Sequence, residues 1–390
     1  MSQSGSTPVR FDLLLLVSVL VLVAIGLVMV YSASAITAQE KLGDSFHYLK
    51  RQVVAAAVGL LGMTLAMKLG YRRFGRLAYP VLIVAVLGLV LVLVPGVGST
   101  IGGARRWIRV PAFSVQPAEF AKFAWVLYLA FSLAKKREKV ATFSVGLLPH
   151  LAVLSVLVGL CMAEPDFGSS IGLIFLMFAL LFAAGAKLSY LIGSVLVAIP
   201  IAYHAIASSP YRMQRILAFL DPWAHRHDVG YQVAESLISI GSGGIFGLGL
   251  GDGRQKLFFL PEAHTDFIFA MIGEELGLVG VSVVIGLYGI IIWRGIRAAL
   301  SAPEPFGTYL GLGITSLIAF QAIVNMCVAM GLVPTKGLTL PFISYGGTSL
   351  AVLMASAGVL LSISASASGR RAPSASRSMA AAVRGGEVAA

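Results

Sequence analysis

The chain has 390 residues, 58% of them hydrophobic and 12% charged, with a mean hydropathy of +0.90. That balance excludes a soluble globular domain and identifies an integral membrane protein. The net charge of +12 and the pI of 9.8 would also fit a nucleic-acid binder, and only the distribution of the charge decides between the two.

Residues 1–11 form a short polar tail, and Leu13–Val30 then runs for 18 residues without a charge. Arg10 before the run and Ala33-Ser34-Ala35 after it have the character of a signal peptide. The apolar core is longer than the ~7–15 residues of a signal, so a retained signal-anchor helix is predicted. Apolar segments follow at Gln52–Met67, Leu77–Leu93, Pro117–Leu133, Phe143–Met162, Ser169–Ala186, Leu188–Ala207, Phe267–Trp293, Gly307–Met330 and Thr348–Ile363. Each is near the ~20 residues a helix needs to cross a bilayer, and the period-2 alternation of a membrane barrel is absent. The expected fold is therefore all-α, with about ten transmembrane helices in a membrane domain at 12–366. Residues 367–390, rich in Ser, Ala, Gly and Arg, read as a disordered basic tail.

Ten spans put both termini on one side. The loops and tails of that side hold 16 of the 29 basic residues against four acids, Asp12, Glu138, Glu304 and Glu387, which accounts for the whole net charge. The positive-inside rule makes that side cytoplasmic. The high pI thus reflects topology, and no nucleic-acid partner is implied. Cys161 and Cys327 lie within spans without disulfide or metal spacing, and the histidines show no ligand pattern beyond the isolated pair His225 and His227. No cofactor is evident.

The outward loops hold nearly all the unusual residues. In the third-span loop, Arg105 and Arg106 precede Gln116-Pro117, where Gln116 fits a cap, Pro117 the first helical position and Glu119 the third. Glu119 and Lys122 share one helix face and can pair, and Lys122 stands ~7–8 Å into its span, where a lysine more often meets a cavity than lipid. The loop at about 208–266 is far longer than the usual ~4–6 residues. It opens with an interfacial amphipathic pattern carrying Arg212 and Arg215. Val233–Gly251 is apolar but glycine-broken, as in a re-entrant segment. Its glycines suit close packing and turns, or a phosphate cradle with Arg254 and Lys256 beside it. The last outward loop, Gly331–Ser349, offers Lys336, Ser344 and Tyr345 as ligands for a phosphate or sugar.

Between these loops runs Pro261-Glu262-Ala263-His264-Thr265-Asp266, directly before an apolar helix that carries Glu274 and Glu275. Asp266 follows seven spans and faces outward at the water edge, where an N-cap or a catalytic acid both fit. Glu274 and Glu275 lie ~12–14 Å deeper and point in different directions around the helix. Glu274 is expected in an interior polar network, with Lys122 as a partner.

GARRWI, QPAEFAK, EPDFG (Glu164–Gly168), the DPW and GYQ pair, GSGGIFGLGLGDGRQKLFFLPEAHTDFIFAMIGEELG and PTKGLTLPFISYGG together resemble the SEDS family (shape, elongation, division and sporulation) over 12–366. The long run through Asp266 and the PTKGLTLPFISYGG loop are closer to its division branch than to its elongation branch. Ala118 and Thr348 stand where many relatives have Ser.

The resemblance implies a peptidoglycan glycosyltransferase in the cytoplasmic (inner) membrane, at the division septum, that polymerises lipid II at the outer face. It implies a class B penicillin-binding transpeptidase and other divisome proteins as partners, and Asp266 as the essential acid. The chemistry agrees, because lipid II carries its own pyrophosphate leaving group. Inverting transfer then needs one base and positive charge, whereas a glycosidase needs a second carboxyl. Arg105, Arg106, Arg212, Arg215, Arg254, Lys256 and Lys336 compete for the pyrophosphate, and a divalent cation could share that work. Glu119, Lys122, Glu262, His264, Ser344 and Tyr345 are the other substrate-facing candidates. A lipid II flippase, an elongation-type polymerase and a recruiting scaffold are the rival readings.

Overall fold

The computed structural model describes residues 11–101, 104–110, 113–208, 210–228, 230–253, 263–335 and 337–386. Ten long helices alternate through the bundle: α1 (Leu13–Leu42), α2 (His47–Leu69), α4 (Ala78–Leu93), α5 (Pro117–Lys136), α6 (Leu148–Ala163), α7 (Phe167–Ala183), α8 (Leu188–Ala207), α11 (Ile268–Leu300), α12 (Pro305–Ala329) and α13 (Gly347–Gly386). Shorter helices lie between them: α3 (Tyr71–Arg76), α9 (Pro210–Leu220) and α10 (Tyr231–Ser242). Among the described residues, six helical stretches are long and apolar enough by themselves to cross a membrane, among them Leu13–Leu42 and Gly347–Ala367, and α4, α7 and the first part of α8 are shorter apolar helices. The chain is a mostly helical, multi-pass membrane protein with about ten spans.

Burial divides the helices into two kinds. α5 is buried almost all round from Pro117 to Leu133, with Trp125, Val126, Leu127 and Leu129 at its centre, so it is the axis of the bundle. A helix enclosed by protein can carry Glu119 and Lys122, which a lipid-facing helix could not. α1, α2 and α4 instead leave rows such as Leu60, Leu61, Ile83 and Leu87 exposed to the bilayer side. Small residues let helices close: a Cβ on Gly313 of α12 would strike Val126 of α5.

The third-span loop is a three-stranded antiparallel sheet rather than an open loop, with β1 (Gly98–Ile101), β2 (Ala104–Val110) and β3 (Phe113–Val115) in that order. The sheet sits at the outer end of α4 and α5. Past its apolar stretch α13 runs on to Gly386, through the Ala-rich tail that composition alone reads as disordered; alanine is the strongest helix former.

α11 is broken at Gly277, whose φ of 64° lies outside the helix. About 14 Å inside the helix end, a broken backbone needs partners, since hydrocarbon offers none. The glycine loop after α10 supplies them. Leu248 and Gly249 N–H donate to the carbonyls of Glu274 and Glu275 at 3.0 and 3.1 Å, and Leu278 and Val279 N–H donate to those of Gly244 and Ile245 at 3.0 and 3.1 Å. A Cβ at Gly247 or Gly277 would collide with the opposing backbone. The glycines here serve close packing.

Candidate active site at the outer face

Asp266 lies in the turn 263–267, one residue before Phe267, which takes the cap position of α11 and makes no side-chain cap bond. The N-cap role open to Asp266 in the sequence is therefore not the one it fills. Its Oδ2 stands 3.3 Å from the point a Cβ on Gly337 would occupy. The last outward loop thus brings Gly337 directly against the carboxylate.

Three successive carbonyls fix the turn. Tyr345 N–H donates to His264 O at 2.9 Å, Ser344 Oγ to Thr265 O at 2.6 Å, and Asn325 Nδ2 to Asp266 O at 2.8 Å. Asn325 Nδ2 also donates to Leu338 O at 2.7 Å, so one amide of α12 joins the turn to the last loop. Ser344 Oγ accepts from Leu340 N–H at 2.8 Å. Gln52 of α2 clasps the same loop, donating to Ser344 O at 3.0 Å and accepting from Gly346 N–H at 3.4 Å. A carboxylate on so constrained a backbone is preorganised for chemistry.

Of the residues the sequence singled out, His264, Ser344 and Tyr345 come together at this turn. Ser344 spends its hydroxyl on backbone. His264 and Tyr345 form an aromatic group with Tyr48, ring centroids 4.6 Å (Tyr48–His264), 5.1 Å (Tyr48–Tyr345) and 5.6 Å (His264–Tyr345) apart. Burial raises the Tyr345 phenol above its ordinary pKa, and a hydrogen bond with Arg51 opposes part of that rise. Arg215 of α9 donates to Thr335 O at 3.2 Å, which brings a cation to the same loop. Arg254, Lys256, Glu262 and Lys336 lie outside the described residues, as does the side chain of Arg212.

Arg105 and Arg106 sit on β2. Arg105 Nη1 donates to Leu93 O at 3.4 Å, at the end of α4. Arg106 Nε donates to Glu164 O at 3.1 Å, and its Nη2 to Pro165 O. Both close helix ends, while each guanidinium, with five N–H groups, keeps donors over. The connection that Arg106 holds leads to Gly168, which packs on Leu338 beside Gly337. Asp166 caps α7, accepting from Ser169 N–H at 3.0 Å and Oγ at 2.8 Å, and from Gln116 Nε2 at 3.4 Å. Glu164 is 0% exposed and, among the described residues, neither of its carboxylate oxygens has a hydrogen-bond partner. Burial, and then Asp166, push its pKa up to about 8, so it is a neutral acid at pH 7.

Lys122 is 1% exposed and pairs with Glu119, Nζ to Oε1 2.7 Å. It does not meet Glu274, whose carboxylate is reached at 3.3 Å by Ser239 of α10. Nor do Glu274 and Glu275 go separate ways: Oε2 of one and Oε1 of the other flank Gly253, 3.0 and 3.1 Å from where its Cβ would be. The side chains are long enough to bend around a glycine, which overrides the angle between their Cα directions. Ser32 Oγ of α1 lies 2.6–2.7 Å from both oxygens of Glu275. Among the described residues no group of three or more His, Cys, Asp or Glu could hold a metal.

Sequence reasoning missed Gln52, Asn325, Tyr48 and Gly337. The amides carried a signal, because Gln and Asn inside apolar helices are expensive and find buried partners.

The model of the FtsW/RodA/SpoVE family, described as cell cycle protein, matches residues 12–369. The chain belongs to this family. It is 47% identical over 356 residues to a probable peptidoglycan glycosyltransferase FtsW of Trichlorobacter lovleyi, covering 91% of this chain and 93% of that one. The stage V sporulation protein E of Bacillus subtilis is 41% identical, with 90% and 96% covered. Among solved structures, a chain of a peptidoglycan synthase complex that coordinates polymerization and crosslinking superposes with a TM-score of 0.76 at 32% identity, over 91% of this chain and 98% of that chain. The rod shape determining protein RodA of Thermus thermophilus gives 0.66 at 31%, over 91% and 97%.

Proposed function

We infer that this chain is a peptidoglycan glycosyltransferase of the FtsW type, polymerising lipid II at the outer face of the cytoplasmic membrane with Asp266 as general base. The observation that carries the reading is the Asp266 carboxylate, on a turn at the outer face whose three successive carbonyls are hydrogen-bonded and which stands against Gly337 of the last outward loop. Asp266 takes the proton of the acceptor GlcNAc 4-hydroxyl as that oxygen attacks C1 of the donor sugar. The C1–O bond to undecaprenyl pyrophosphate breaks with inversion, and the bond electrons leave on the pyrophosphate. Cations supply the charge this leaving group needs. Arg215 is a described candidate, reaching the last outward loop through its bond to Thr335; Arg254, Lys256 and Lys336 join it by sequence.

Names of relatives at 44–47% identity favour the division branch over the elongation branch. A class B penicillin-binding transpeptidase is the partner that this reading calls for, and the septum its site of action. The decisive assay gives the purified chain, with its partner, labelled lipid II. Asp266→Asn should lose ~10²–10⁴-fold in polymerisation, the usual worth of a general base, at unchanged thermal stability. A folded Asp266→Asn protein that polymerises normally would overturn the assignment, and flipping of lipid II that survives it would point to transport.

A further inference from the structure

A second site lies at the opposite end of the bundle. A cavity of about 320 Å³ opens between α3, the end of α5 and the start of α12, a volume at the low end of the ~300–1,000 Å³ of ligand sites. All three elements are on the cytoplasmic side by the distribution of Lys and Arg. Phe131 and Phe306 meet edge to face at 6.4 Å and form its floor. Gly75 brings α3 down onto that floor, with a Cβ there only 3.3 Å from Phe306 Cε1.

The rim is cationic. Arg72 is committed to Glu304 at 2.9 Å. Arg76 and Lys135 are exposed, line the cavity and, among the described residues, have no carboxylate within ion-pair reach. Tyr79 stacks edge-on against Phe131 at 5.7 Å and starts an exposed apolar row on α4, continuing through Ile83 and Leu87. Aromatic floor, two cations without a carboxylate partner among the described residues and a lipid-facing row therefore run from the headgroup level into the hydrocarbon, the order of parts in a phospholipid.

We propose that this cavity binds one anionic glycerophospholipid of the inner leaflet. Arg76 and Lys135 hold the phosphodiester, Phe131 and Phe306 take the glycerol region, and the acyl chains lie along Tyr79, Ile83 and Leu87. A basic pocket between helices on the cytoplasmic side is the physical pattern for an anionic headgroup, and the site is independent of the chemistry at Asp266.

The test is native mass spectrometry of the full chain, delipidated and titrated with phosphatidylglycerol or phosphatidylcholine. Wild type should retain one phosphatidylglycerol at least about tenfold better than phosphatidylcholine. Arg76→Gln with Lys135→Gln should abolish the preference, and Arg76→Lys with Lys135→Arg should restore it. Equal retention of the two lipids, or equal preference in wild type and the Gln variant, would overturn the proposal. Full displacement by millimolar inorganic phosphate would also overturn it, by assigning the cations to a free anion. Both residues are exposed, so an unchanged melting temperature separates loss of binding from loss of fold.

Discussion

The two ends of the bundle use polar residues in opposite ways. At the outer end, Asn325, Ser344, Gln52 and Arg106 spend their hydrogen bonds on carbonyls of irregular backbone, and most are buried. At the cytoplasmic end, charges face each other and water, as Arg72 does with Glu304 at side-chain exposures of 63% and 44%. Outer groups set the shape of a loop around one carboxylate, whereas inner charges set orientation and tie helices together. The first arrangement is intolerant of change because a buried polar atom without a partner costs its full desolvation. The second is tolerant because water takes over a lost partner.

The largest effect should come from the ion pair beneath the outer loops. Lys122→Met strands Glu119 in the bundle, and removing one partner of a buried pair costs about 3–5 kcal/mol. Adding Glu119→Gln should recover most of it, since the penalty belongs to the unpaired charge. Unfolding in detergent measures both. A single variant that loses under ~1 kcal/mol would mean that water reaches Glu119, and the burial contrast would fail.

Asn325→Leu comes next. It leaves the carbonyls of Asp266 and Leu338 without their shared donor, at about 1–3 kcal/mol for each buried group left unpaired. The catalytic turn should also drift, and a misplacement of an ångström can cost ~10²-fold. Polymerisation should therefore fall in kcat by ~10–100-fold with KM little changed. A variant that only loses stability, with normal kcat, would make Asn325 a packing residue and detach α12 from the chemistry.

These two positions also mark how far the sequence could be read. Span number, orientation and the outward position of Asp266 were legible because they are sums over many residues: hydropathy over ~20 positions, charge over a whole side. The Glu119–Lys122 pair was legible as an i,i+3 relation on one helix. The turn around Asp266 was not, since its bonds join Ser344 to Thr265 across 79 positions and Asn325 to Asp266 across 59. No local pattern encodes such pairings. Glu274 and Glu275 went astray for a related reason. Helix geometry gives the direction of Cα–Cβ bonds, but Gly253 and Ser32, brought in from far along the chain, decide where the carboxylates end. The small sheet was hidden by shortness: strands of four, seven and three residues inside a loop give too few alternations to stand out.

Glu164 tests the contrast through pH. Its carboxyl is buried without a hydrogen bond among the described residues and titrates at about 8 instead of 4.5. Between those values the folded chain keeps a proton that the unfolded chain has released. Stability must then fall as pH rises through that window and level off above it. Glu164→Gln removes the ionisable group and keeps the shape, so it should abolish this slope and gain about 2–4 kcal/mol over wild type at pH 9, at roughly 1.4 kcal/mol per unit. Melting curves at pH 5, 7 and 9 decide it. A wild-type slope unchanged by the substitution would put the titration elsewhere.

The smallest effect belongs to the cytoplasmic end. Arg72→Ala removes an ion pair that is more than half exposed on the arginine side, and exposed pairs are worth about 0–1 kcal/mol, less in salt. The expected loss is under ~1 kcal/mol and should shrink further between low and physiological ionic strength. The same substitution withdraws one of the three cations on the rim of the inner cavity but leaves Arg76 and Lys135 in place, so lipid preference should survive it. If Arg72→Ala instead cost as much as Lys122→Met, exposure would not be what separates the two ends. The ion pair that clips α3 to α12 would then be structural in the way the outer network is, and the division of labour between the ends would have to be drawn by contact rather than by burial.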